Sequence, residues 1–277
     1  MMTKSKYYAG VDYFRLVAAL LIVAIHTSPL ATYNETGDFI LTRIVARVAV
    51  PFFFMASGFF VISRYSYNTE KLMRFVKRTA SIYGAAILLY IPINIYNGYF
   101  RMENLLPNVI KDIVFDGTLY HLWYLPASIL GALIAWYLVK RFDYKRAFII
   151  TAMLYVIGLL GDSYYGITEQ SVLLKNIYDM LFQISDYTRN GIFFAPVFLV
   201  MGGFLADTKK EITLAKSISG FGISFVLLFM EAMILRSFEL QRHDSIYVFL
   251  LPCMFFLFCG ILRLKGKHNK NLKTISL

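Results

Sequence analysis

The chain has 277 residues, 58% of them hydrophobic and 16% charged, with a mean hydropathy of +0.59. A formal charge of +11 raises the question of nucleic acid, but that function needs a soluble basic face, and here the cations lie between apolar runs longer than any strand requires. Composition therefore excludes a nucleic-acid partner. It predicts an all-α, polytopic transmembrane helical bundle with membrane lipid as its surroundings.

The first run, Gly10–Leu30, is about as long as a helix needs to cross hydrocarbon, yet it carries Asp12, Arg15 and His26. Arg15 breaks the apolar stretch that a cleaved leader would need behind Lys4 and Lys6. Eleven positions separate Arg15 from His26, three turns plus about 20°, so both leave one face about 16 Å apart. Arg15 also stands three residues after Asp12, where a simple pairing is available. Intramembrane ionisable groups point to function by default.

Apolar runs predict eight spans, near 10–30, 39–62, 79–96, 121–139, 146–162, 191–206, 217–235 and 246–263. Their connections are strongly asymmetric in Lys and Arg. One side holds Lys4, Lys6, Arg64, the 71–78 cluster, Lys140, Arg141, Lys145, Arg146, Lys209, Lys210, Lys216 and the tail; the other holds Arg101, Lys111, Lys175, Arg189, Arg236 and Arg242. The positive-inside rule then places both chain ends in the cytoplasm of a multi-pass plasma-membrane protein. Leu272–Leu277 reads as the start of a further span. In the outer connections, Leu106, Val109, Ile110 and Ile113, and Leu173, Ile177, Met180, Leu181 and Ile184, recur at helical spacing and predict amphipathic helices lying on the membrane. Cys253 and Cys259 lie six apart in one run, a spacing for neither a disulfide nor a metal site, so no metal is expected.

Polar residues gather near the outer ends of these spans. Arg43 and Arg47 are one turn apart, His121 and Trp123 begin the fourth span, Arg189 and Asn190 the sixth, and Glu231 interrupts the seventh. Together they predict an outward-facing pocket for an acceptor or substrate. On the cytoplasmic side Lys71, Arg74 and Arg78 recur on one helical face with Lys77 beside them, a row suited to phosphates of a soluble donor or of lipid head groups.

The arginine and histidine of the first run, VPFFFMASGFF at Val50–Phe60, HLWYLPA at His121–Ala127 and RNGIFFAPVFLVMGG at Arg189–Gly203 together resemble the acyltransferase-3 family of integral membrane acyltransferases. The wording is nearest to the membrane domains of membrane-bound serine racemases of vancomycin resistance. The resemblance covers residues 1–277 as one domain and implies a ten-helix fold, of which this chain would hold eight. It implies an acyl group, most simply acetyl, passing from cytosolic acyl-CoA to a hydroxyl on an extracytoplasmic glycan or small acceptor. His26 would be the catalytic base and Arg15 a donor-side group, while Lys71, Arg74, Lys77 and Arg78 would hold coenzyme A; no cofactor would be permanently bound. The alternative it implies is the membrane domain of a serine racemase, fused to or associated with a racemase domain. That domain would bind or take up L-serine, with Arg43 or Arg47 on the carboxylate and Glu231 on the ammonium group.

Overall fold

A computed structural model describes residues 8–62, 69–101, 103–208 and 212–264. All regular structure among them is helical, as long apolar segments require when water is absent and each backbone N–H must bond within its own segment. The long elements are α1 (Ala9–Thr27); a continuous helical stretch of α2 (Glu35–Phe39), a π-turn (Ile40–Ile44), a 3-10 turn (Val45–Val48) and α3 (Ala49–Val61); and α4 (Thr69–Tyr96). After the short α5 (Leu105–Lys111) come α6 (Tyr124–Arg141), α7 (Tyr144–Leu160), the single turn α8 (Tyr165–Thr168) and α9 (Val172–Ile184). The last three are α10 (Ala195–Asp207), α11 (Leu214–Ser237) and α12 (Leu250–Arg263).

All eight expected runs are helical, but five are both long and apolar enough to cross a membrane: α1, Glu35–Val61, α4, Tyr120–Arg141 and α11. α7, α10 and α12 have 17, 13 and 14 residues. Thirteen residues rise about 20 Å, short of a hydrocarbon core about 30 Å thick. α10 is buried along Ala195–Gly203, so its apolar sequence serves protein packing. α4 is the opposite, with Leu88 and Leu89 68% and 73% exposed. The ninth-span expectation, Leu272–Leu277, lies outside the described residues.

The chain divides into two compact units. One comprises residues 1–56, 208–234 and 247–277. In it α1 packs on the Ile40–Val48 segment and on α12, with Phe52 fully buried between Phe14 (ring centroids 4.8 Å) and Phe258 (5.9 Å). The other comprises residues 57–207 and 235–246, where α6 packs on α10, α4 and α7. Here Gly58 meets the backbone of Leu199, and Gly203 that of Ile62, so closely that a Cβ on either would overlap a carbonyl oxygen. Two contacts four residues apart on each partner mark a parallel crossing, and the absent side chains permit the close approach familiar from membrane helix packing. Two of the sequence motifs are thus helix-packing surfaces.

The predicted surface helices are present. α9 starts at a Ser171 cap, buries Tyr178 through a 2.7 Å hydrogen bond from its hydroxyl to the Ile157 carbonyl, and leaves Leu173, Ile177, Met180 and Ile184 exposed. α5 and the π-turn after it leave Leu106, Ile110 and Ile113 exposed in the same way.

Candidate functional site

In the first unit, α1 runs unbroken through both Arg15 and His26. Arg15 donates to Asp12 at 3.0 Å, so its charge is balanced one turn back on its own helix. His26 is exposed in the last turn, where the partial negative charge of the helix end favours an imidazolium. The helix stops at Ser28, whose backbone is left-handed (φ 42°) and whose N–H returns to the Ala24 carbonyl.

Arg43 and Arg47 were expected on a regular helix. Instead the π-turn holds Arg43 and the 3-10 turn holds Arg47, with Ile44 at the junction (φ −122°, ψ −66°). Two consecutive departures from α geometry re-aim side chains, and such segments recur at functional sites. Arg43 is partly exposed and Arg47 buried. Glu231, expected to meet an arginine or a substrate cation, has a scaffold task instead: its two oxygens accept the backbone N–H groups of Val248 (2.6 Å) and Phe249 (2.9 Å), just ahead of α12. A carboxylate there answers unpaired donors at a helix N-terminus.

In the second unit Arg189 is the centre. Its guanidinium lies over the rings of Tyr187 (4.3 Å to the centroid), Tyr120 (4.5 Å) and Trp123 (5.3 Å), and Nη1 donates to Ser245 Oγ at 3.1 Å. Tyr120 and Trp123 reach it together because Tyr120–Trp123 is a 3-10 turn, in which residues three apart eclipse. The same geometry separates His121 from Trp123: His121 is exposed and packs edge-on against Tyr90, so these two expected pocket residues do not share a face. Asn190 is a bracket. Its Nδ2 donates to Ser185 Oγ and the Tyr187 carbonyl, and its Oδ1 accepts from Ile192 and Phe193, holding the turn into α10 and the position of Arg189.

Asp162, unmarked by the sequence, is completely buried nearby. Its Oδ1 accepts Ser163 Oγ (2.9 Å) and the N–H groups of Ser245 (2.7 Å) and Ile246 (3.0 Å). Burial pushes its carboxyl above the usual range, opposed by the Ser245 N–H and by the Arg189 charge. A second unmarked cluster joins Asp112, Asp116 and Asp186, whose oxygens lie within 4.8 Å of one another, a set able in principle to ligate a cation. Here Lys111 Nζ, 2.8 Å from Asp186, supplies positive charge, and Asp116 accepts Ser185 Oγ and the Asp186 N–H. The cluster is a clasp between two loops. Burial lifts Asp116 to about 6.

Lys71, Arg74, Lys77 and Arg78 are exposed on the first turns of α4, with Leu72 and Thr79 buried behind them. The helical extension expected there begins at Thr69.

Buried arginine, exposed histidine and a basic helix start within apolar helices define an integral membrane protein with polar sites. The acyltransferase-3 family profile, an acyltransferase domain, matches residues 8–277, and the chain belongs to that family. Over 276 residues it is 61% identical to an "Amino-acid racemase" of Enterococcus faecalis, covering 100% of this chain and 39% of the relative. A second "Amino-acid racemase" of that organism is 39% identical, covering 96% of this chain and 39% of the relative. A "Serine/alanine racemase" of Enterococcus gallinarum is 38% identical, covering 92% and 37%. The chain thus spans about two fifths of the length of these relatives. No solved structure matches it.

Proposed function

We propose that this chain is a multi-pass plasma-membrane acyl-transfer domain that moves an acyl group, most simply acetyl, from cytosolic acyl-CoA to a hydroxyl on an extracytoplasmic acceptor such as a cell-surface glycan. The observation that carries this reading is α1, one unbroken helix with Arg15 balanced inside it and His26 exposed at its end. Imidazole titrates near neutrality, so His26 removes the acceptor proton as the hydroxyl oxygen bonds to the acyl carbon; the thioester C–S bond breaks and the thiol of coenzyme A leaves. Arg15 serves the donor side. Lys71, Arg74, Lys77 and Arg78 hold the donor's phosphates: cations in the first turns of a helix oppose its dipole, and a phosphate there satisfies both. Transfer of labelled acetyl to surface glycan, wild type against His26→Ala, tests this, and an unchanged rate in the variant would refute it.

A second reading is favoured by the names of the relatives: a domain that binds or takes up an amino acid such as L-serine for a racemase domain fused to or associated with it. Arg43 or Arg47 would then hold the carboxylate. Labelled L-serine uptake in cells making the full-length protein, with Arg43→Gln and Arg47→Gln, distinguishes it, because this reading expects uptake to fall and no acyl product to exist.

A further inference from the structure

Arg189 carries more bonding capacity than its surroundings use. It is 4% exposed, and Nη1 is bonded to Ser245, but Nε and Nη2 are buried without a hydrogen-bond partner among the described residues. Those two donors form one edge of the planar guanidinium, the fork that grips a carboxylate through two parallel N–H···O bonds. A buried donor left unmade costs about 1–3 kcal/mol, and more when charged, so two on a single edge mark a place where an acceptor arrives. The rings of Tyr120, Trp123 and Tyr187 cover the guanidinium and hold its plane, and Tyr120, 46% exposed, forms the wall nearest the surface. The complementary vacancy lies on Asp162. Its Oδ1 is saturated, while Oδ2 is buried with no partner among the described residues. Ser245 touches both groups, its hydroxyl accepting from Arg189 and its N–H donating to Asp162. An unmet cationic fork and an unmet carboxylate oxygen thus flank one serine.

We propose that Arg189 anchors the carboxylate of a small α-amino acid, with Asp162 placed to receive its ammonium group and Tyr120, Trp123 and Tyr187 closing over it. This rests on the amino-acid reading above and deepens it by naming a site other than Arg43, Arg47 and Glu231.

The test uses the whole chain in lipid nanodiscs. The protein has two tryptophans, so Trp136→Phe leaves Trp123, which contacts Arg189, as the reporter. L-Serine should shift Trp123 emission saturably, acetate should do so more weakly, and ethanolamine, which lacks the carboxylate, should do nothing. Arg189→Lys should weaken L-serine by about tenfold or more, since an ammonium group cannot offer the fork. Asp162→Asn should reduce L-serine to the acetate level and leave acetate unchanged. Equilibrium dialysis with labelled L-serine checks the optical result, and size-exclusion elution checks folding. Should Arg189→Lys fail to fold, Tyr120→Ala, at a half-exposed position, carries the same expectation of weakened binding.

No saturable response to L-serine or acetate by either method overturns the proposal and assigns the vacant edge to water. Binding of L-serine unaffected by Arg189→Lys or Tyr120→Ala also overturns this site while leaving the amino-acid reading standing. Acetate binding that requires Arg189 without preference for L-serine overturns the role of Asp162 and the amino-acid reading, and keeps the carboxylate anchor.

Discussion

Arg15 and Arg189 solve the problem of charge in an apolar protein in different ways. Arg15 is balanced within one helical turn by Asp12, and α1 exposes His26 without relying on a distant segment for its path. Arg189 depends on four separated stretches: the Tyr120–Trp123 turn, Asp162, the Ser185–Asn190 turn and Ser245. The first arrangement is local and adds little to stability. The second is cooperative, and its parts fail together.

The largest effect expected from this contrast is functional. If His26 is the base, His26→Ala lowers acyl transfer by about 10²–10⁴-fold while thermal unfolding in detergent stays within about 0.5 kcal/mol of wild type, because an exposed end-of-helix side chain is removed. Asn190→Ala should do the reverse. It strands two backbone N–H groups and removes both donor bonds of a buried amide, so unfolding free energy should fall by about 3–4 kcal/mol. A loss below about 1 kcal/mol would mean that the turn before α10 holds itself. Tyr178→Phe, which removes one hydrogen bond tying α9 to Ile157, should cost about 1 kcal/mol and raise amide exchange in residues 172–184.

Asp12→Asn separates the two modes most finely. It leaves Arg15 without its ionic partner one turn back, yet at a partly exposed i, i+3 pair the stability change should stay below about 1 kcal/mol. The smallest effect is on pH dependence. The folded value of Asp116, about 6, stands above the ordinary 3.8, so between these values the folded chain binds more protons than the unfolded one. This group's contribution to stability is therefore fully present at low pH and is lost as pH rises through about 6. Unfolding of Asp116→Asn, followed between pH 4 and 7, should lack that component.

Much of the architecture was legible in the residues. Eight apolar runs became helices, the amphipathic spacing of Leu173–Ile184 became a surface helix, and the cations of 71–78 fell on exposed turns of α4. These features follow from helical periodicity and from the rule that backbone in hydrocarbon must bond internally, both local in sequence. The lengths of α7, α10 and α12 were less legible, because hydropathy does not distinguish a helix wrapped by protein from one wrapped by lipid. The π and 3-10 turns that carry Arg43 and Arg47 left no compositional mark either, since no proline or glycine stands within Ile40–Val48.

The sequence by itself therefore determined the helical class, the family and the one-helix pairing of Arg15 with Asp12, because each is written within one segment or in motifs read in order. Only the tertiary structure decided that Glu231 caps the approach to α12, that Asn190 braces a turn, that His121 faces away from Trp123, and that Asp162 and Ser245 stand beside Arg189. Asp162 and Ser245 are 83 residues apart. Nothing in their neighbours along the chain distinguishes them from ordinary loop residues; burial and the directions of a few hydrogen bonds do, and those exist only once the helices have packed.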